Sequence, residues 1–170
     1  NAREFKYLFR KRKRYQSKIN CSYLIHFLFF FFYEQMKTKV VIVDDHKLIA
    51  KAIANIVNDF EDFEVIYEVG NGLELIHKFK AGNDIPSLIL LDISMPEMDG
   101  FETALWLKEN HPEILVMALS MQDDEQSLFK MIKNGAKGYM HKNIHPQELE
   151  VALKTLLTDR MFFPGWATKE

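Results

Sequence analysis

Leu88-Ile89-Leu90-Leu91-Asp92-Ile93-Ser94-Met95-Pro96-Glu97-Met98-Asp99-Gly100 is the stretch on which the fold turns. Its first four residues are all apolar, with no alternation and no polar stripe. A run this short predicts a strand buried on both faces, the kind that occurs in parallel sheets. The run stops at Asp92, a Pro-containing loop follows, and apolar residues resume near Gly100 with Phe101, Ala104, Leu105, Trp106 and Leu107. The order is therefore buried strand, acid, loop, helix.

The same order recurs on both sides. Upstream, Val40-Val41-Ile42-Val43 is β-branched throughout and ends at Asp44-Asp45; Leu48, Ile49, Ala52, Ile53, Ile56 and Val57 then follow at helical spacing. Phe63 to Val69 alternates in part, turns at Gly70-Asn71-Gly72, and leads to a helix carrying Leu73, Ile76 and Phe79 that Gly82-Asn83-Asp84 breaks. Downstream, a strand from Ile114 to Leu119 ends at Ser120. A helix from about Asp123 to Asn134 has acidic residues in its first turn and Asn134-Gly135 at its end, the polarity a helix dipole and C-terminal cap favour. A short strand near Gly138-Tyr139-Met140 leads through Lys142 to a last helix from Pro146 to about Thr158. Five such units predict an α/β fold, a flavodoxin-like (βα)5 doubly wound parallel five-stranded sheet with strand order 2-1-3-4-5. In that architecture the ligand site lies at the carboxyl ends of the strands.

Composition narrows the class. A chain of 170 residues with 48% hydrophobic and 27% charged residues is neither disordered throughout nor a multi-span membrane protein, and has length for one sizeable core. A single cysteine, Cys21, excludes an intramolecular disulfide framework and a cysteine zinc site. The net charge of −2 conceals two unlike parts: residues 1–35 hold eight Lys/Arg against two Glu, and residues 36–170 hold 14 against 22. The basic part contains Arg10-Lys11-Arg12-Lys13-Arg14 and an aromatic run from Tyr23 to Tyr33. That run is too short to span a bilayer and no small-residue cleavage site follows it, so neither export nor membrane anchoring is expected. Five adjacent cations are a weak nucleic-acid signal on their own. The chain begins with Asn1, and Met36 directly precedes the first orderly strand, so residues 1–35 are expected to be a non-native or disordered basic and aromatic extension. A cytoplasmic location is the expectation.

The strand ends carry the chemistry. Asp44 and Asp45 follow strand one, Asp92 strand three, Ser120 strand four and Lys142 strand five. Each has an ordinary reading: Asp and Ser after a strand commonly cap the next helix, and Lys is commonly a solvated surface group. Together they place three carboxylates, a hydroxyl and an amine at one sheet edge. Three neighbouring carboxylates do not all stay ionised without a cation, and oxygen donors of this kind suit Mg²⁺, with Mn²⁺ as a substitute. The expected direct ligands are Asp45, Asp92 and the backbone carbonyl of Ser94, with Asp44 acting mainly through water. Phosphoryl transfer requires an aligned nucleophile and charge stabilisation; Asp92 is the expected nucleophile, forming an acyl phosphate, with the cation and Lys142 balancing the transferred charge.

These residues carry a family resemblance. Val41-Ile42-Val43-Asp44-Asp45-His46, Leu91 to Gly100, Ala118-Leu119-Ser120 and Gly135-Ala136-Lys137-Gly138-Tyr139-Met140-His141-Lys142 resemble the receiver domains of bacterial two-component response regulators. The resemblance runs from about Lys37 to Leu157. It implies a receiver domain over 36–158, with 159–170 as the start of a linker to a missing output domain or a C-terminal tail. It implies a sensor histidine kinase or phosphotransfer protein as donor, control of transcription through an output domain, and homodimerisation on phosphorylation as a further expectation. It also implies a switch in which Ser120 moves to hydrogen-bond a phosphoryl oxygen and Tyr139 rotates inward behind it. Lys142-Asn143 and Asp45-His46 are similar to the NarL/FixJ subgroup, which usually binds DNA through a C-terminal helix-turn-helix. Thr158 to Glu170 is too short for that module, so DNA contact is expected only through an output domain not present in this chain.

Three other functions separate from this one on particular residues. Phosphatases of the haloacid dehalogenase type use D-x-D, but position 94 is Ser, so turnover of a separate substrate is not expected and the protein is not read as an enzyme. No glycine-rich phosphate loop follows strand one, which disfavours a nucleotide or flavin module. A pseudo-receiver would lack site residues that are all present here.

Overall fold

The computed structural model describes residues 37–121 and 124–165. The N-terminal extension, Gln122, Asp123 and Trp166 lie outside the described residues. Among the described residues five strands and five helices alternate: β1 (Thr38–Val43), α1 (Lys47–Asn58), β2 (Phe63–Val69), α2 (Gly72–Lys80), β3 (Leu88–Asp92), α3 (Gly100–Asn110), β4 (Leu115–Ser120), α4 (Glu125–Lys133), β5 (Gly138–His141) and α5 (Pro146–Asp159). All pairings are parallel and the order is β2-β1-β3-β4-β5, as the repeated strand-helix pattern predicts.

The strand alternation sorts the apolar side chains to two sides of the sheet. Val40, Ile42, Leu88, Leu90, Leu115, Met117 and Met140 meet α1 and α5 through Ala50, Ile53, Ala54, Val57, Leu149, Leu153 and Leu156. Val41, Val43, Ile89, Leu91, Val116, Ala118 and Tyr139 meet α2, α3 and α4 through Leu75, Ala104, Leu107, Leu128 and Met131. Both faces of β3 are therefore covered, and all five of its residues are buried. This explains why its sequence shows no alternation. Burying one leucine or isoleucine side chain contributes about 1.5–3 kcal/mol.

Two helices bury most of the expected stripe, with Ile53 and Val57 in α1 and Ile76 in α2 buried and Ile49, Ile56 and Phe79 packed on the core, but three positions differ. In α1, Leu48 is 88% exposed and Ala52 is exposed, while Ala50, Ile53, Ala54 and Val57 face the sheet. In α2, Leu73 is exposed and Leu75 is fully buried. The contact face follows i, i+3, i+4, i+7 from Ala50, and a small residue there lets the helix axis approach the sheet. The acidic start of the fourth helix also sits slightly later than expected, with Asp124 capping it by accepting from the Ser127 N–H at 2.7 Å.

Past α5, Arg160 takes a left-handed backbone (φ 63°) that ends the helix. The chain then turns back to β5, where Phe162 donates its N–H to the Lys137 carbonyl at 2.8 Å and accepts from the Tyr139 N–H at 3.0 Å. Phe162 packs with the α1/α5 side and Phe163 with the other side, so consecutive phenylalanines straddle the outer edge of β5.

Candidate functional site

Strand register brings the expected residues abreast. Val43 pairs with Leu91, which sets Asp44 beside Asp92, and Asp92 pairs with Leu119, next to Ser120. Ser120 pairs with His141, and the Lys142 N–H donates to the Ser120 carbonyl at 2.7 Å. The carboxyl ends of β1, β3, β4 and β5 thus form one rim.

The side chains meet there. Lys142 Nζ lies 2.8 Å from Asp44 Oδ2 and 2.8 Å from Asp92 Oδ2, and its side chain is only 3% exposed. Asp44 and Asp92 are likewise buried. One ammonium therefore joins carboxylates from two strands. Asp44 Oδ1 accepts from the His46 N–H at 2.9 Å, so both of its oxygens are engaged. Asp45 is more open, with a side chain 30% exposed, yet its Oδ1 atom is buried and has no hydrogen-bond partner.

Helix capping does not account for these acids. α1 has His46 at its N-cap and no side-chain cap bond, so neither Asp44 nor Asp45 caps it. α3 is capped by Asp99, whose side chain accepts from the Glu102 N–H while Glu102 answers the Asp99 N–H, leaving Asp92 uninvolved. α4 is capped by Asp124, not by Ser120. Buried carboxylates that cap no helix and outnumber their one lysine stay ionised together only if another positive charge joins them.

Burial pushes the Asp92 carboxyl above the ordinary aspartate range; the hydrogen bond and charge of Lys142 oppose this, and the Asp44 charge adds to it. Burial prevails over the lysine. The Ser94 N–H points at Asp92 Oδ1 at a long 3.4 Å. Ser94 is itself exposed, two residues past the strand. Ser120 is buried at the end of β4, and Tyr139 is fully buried in β5. By strand alternation Ser120 and Tyr139 lie on one side of the sheet, and Asp92 with Lys142 on the other. Tyr139 already occupies the interior, so the expected inward rotation is not needed to bury it here.

The donor set fits a divalent cation. Asp44, Asp45 and Asp92 each offer an oxygen, and these oxygens, with a nitrogen of His46, all lie within 4.8 Å of one another. The residual charge of three carboxylates and one lysine is −2, and the Asp45 oxygen, which makes no hydrogen bond, is a donor that a cation could engage. Two contributors were not assigned roles from the sequence. His46 stands at the pocket mouth with Nδ1 2.9 Å from Asp45 Oδ1. Gly100 packs so closely that a Cβ there would lie 2.2 Å from the Asp92 carbonyl oxygen. His46 was visible beside the acid pair, but the Gly100 contact depends on how the loop after β3 folds back.

A five-stranded parallel sheet with this acidic rim defines the class, and the receiver-domain profile of response regulators matches residues 40–154. The chain belongs to that family, as a receiver of the NarL/NreC type. It is similar to the oxygen regulatory protein NreC of Staphylococcus epidermidis, 37% identical over 119 residues, which cover 69% of this chain and 54% of NreC. NreC of Staphylococcus haemolyticus is 35% identical over the same shares. The chain thus spans about half the length of these curated relatives. Among solved structures, a LuxR-family response regulator from Aurantimonas shares the fold with a TM-score of 0.71 at 19% identity, over 77% of this chain and 92% of that one. The receiver domain of NarL from Mycobacterium tuberculosis has a TM-score of 0.65 at 25% identity, over 72% and 98%. No helix among the described residues is long and apolar enough to cross a membrane.

Proposed function

We propose that Asp92 is the phosphoacceptor of this receiver, and that it takes its phosphoryl group from a phosphohistidine on a sensor histidine kinase or phosphotransfer protein. The observation that carries this reading is Lys142 Nζ at 2.8 Å from both Asp44 and Asp92 in a buried pocket. A lysine held by two carboxylates at the rim of three strands is placed to follow charge as it moves onto Asp92.

In the transfer, an Asp92 carboxylate oxygen attacks phosphorus, a P–O bond forms, and the P–N bond to the donor imidazole breaks, with the electron pair leaving on nitrogen. Lys142 then shares its protons between Asp44 and the new phosphoryl oxygens. Asp92 must be ionised to react, and burial works against that. Mg²⁺ bound by Asp45, Asp92 and the Ser94 carbonyl, with Asp44 engaged through water, would supply the charge that keeps the nucleophile ionised and screens the incoming phosphoryl oxygens. Ser120, at the end of β4, is within the rim that a phosphoryl group would enter, and the Lys142 N–H bond to its carbonyl links it to β5 and Tyr139. Phosphorylation shifts Ser120 and then the Tyr139 side of the sheet, which is the signal passed to an output domain, homodimer or both. Water later attacks the acyl phosphate, so the protein resets itself without turning over a separate substrate. DNA is reached only through that output domain, and the setting is cytoplasmic.

Incubation with acetyl phosphate and Mg²⁺ should add one phosphoryl mass to the intact protein, and Asp92→Asn should abolish the addition. Equal labelling of wild type and Asp92→Asn would refute the assignment.

A further inference from the structure

Resting on the acidic pocket as the cation site, we propose that His46 is an additional ligand there, giving this receiver a preference for first-row transition ions such as Mn²⁺ and Co²⁺ over Mg²⁺. His46 Nδ1 lies 2.9 Å from Asp45 Oδ1 and 3.6 Å from Asp44 Oδ1. The nearer contact is within ion-pair distance, and Asp45 Oδ1, although buried, makes no hydrogen bond. Two atoms that can each give an electron pair to a cation therefore stand together at the pocket mouth. Neighbouring donors on an octahedral ion with bonds of about 2.1 Å stand about 3 Å apart, so this spacing suits one edge of a coordination shell.

Beyond its contacts with the acid pair, the imidazole does not cap the helix it precedes. His46 is the N-cap of α1 but makes no side-chain cap bond, and its backbone N–H, not its ring, holds Asp44. The side chain is 63% exposed, so it can turn onto an ion without unpacking the core. Mg²⁺ favours an all-oxygen shell, whereas imidazole nitrogen binds Mn²⁺ weakly and Co²⁺ or Zn²⁺ progressively better. An all-carboxylate pocket gains little by the exchange of Mg²⁺ for Co²⁺; one with a nitrogen gains more.

The test is calorimetric titration of the full chain with MgCl₂, MnCl₂ and CoCl₂, for wild type, His46→Ala and Asp45→Asn, with the visible absorption of the Co²⁺ form as a second readout. We expect Co²⁺ to bind wild type at least about tenfold more tightly than Mg²⁺, and His46→Ala to weaken Co²⁺ about tenfold while leaving Mg²⁺ within about twofold. The Co²⁺ absorption band should move to longer wavelength in His46→Ala as water oxygen replaces nitrogen. An unchanged Co²⁺ affinity and an unchanged band in His46→Ala would overturn the proposal. If Asp45→Asn weakens every ion while His46→Ala weakens none, the pocket stands and only the histidine ligand is lost. If Asp45→Asn weakens no ion, the pocket itself is not the cation site and both readings fall.

Discussion

Replacing Lys142 with methionine removes the only ammonium found within salt-bridge distance of Asp44 and Asp92 among the described residues, while keeping most of the side-chain volume. The two acids are buried and the lysine side chain is 3% exposed, so water cannot readily take its place. Breaking a buried pair by deleting one partner costs about 3–5 kcal/mol, because a charge is left without compensation. Two carboxylates share this lysine, and the upper half of that range is expected. With a urea m-value of about 2 kcal/mol/M, the unfolding midpoint in metal-free buffer should fall by about 2 M. Asp92→Asn should shrink the cost, since only Asp44 then remains to be compensated. The assay is urea unfolding followed by circular dichroism, for the two single variants and the double variant. A midpoint shift below about 0.5 M, or the same lysine cost with and without the Asp92 carboxylate, would refute the claim that Lys142 holds these charges.

Two further variants probe other parts of the frame. Gly100→Ala should destabilise by about 1–3 kcal/mol and slow acetyl-phosphate labelling, because the added methyl would meet backbone atoms, the Asp92 carbonyl oxygen at 2.2 Å and Ile93 Cα at 2.7 Å; an unchanged melting temperature and labelling rate would count against it. Tyr67, whose hydroxyl donates to the Asp84 carbonyl, is pushed by burial from 10 up to about 12. The folded state then holds this proton more tightly than the unfolded chain. Its contribution is complete below pH 10 and is lost as pH rises to about 12. The stability difference between wild type and Tyr67→Phe should change across that window and be flat below it, as denaturant titrations at each pH would show.

The sequence disclosed most about the strands and least about what lies between them. Leu88 to Leu91 and Val40 to Val43 could be read directly because a strand buried on both faces leaves a continuous apolar run, and parallel topology puts its last residue at the rim. Asp44, Asp45, Asp92, Ser120 and Lys142 were therefore legible as a set. Helix phase was harder. Leu48 outranks alanine in hydrophobicity, but Ala50 and Ala54 lie on the face packed against the sheet, and in α2 the buried leucine is Leu75 and not Leu73. Gly100 against Asp92 and Phe162 against β5 depend on loop paths that bring together residues distant in the chain or separated by a turn. Local patterns of three or four residues carry no record of such meetings.

The pairing of Phe162 with β5 bears on how this domain can be excised and handled. A fragment stopped at Asp159, where the last helix ends, would strip β5 of the acceptor for the Tyr139 N–H and the donor for the Lys137 carbonyl. It would also uncover two sticky flanks, one on each side of the sheet, at a strand of only four residues. Open strand edges recruit other strands, so the shorter fragment should self-associate where one extended through Pro164 does not. The pairing of the sheet thus extends beyond the last helix, and a fusion or truncation placed at the helix end would manufacture an aggregating edge.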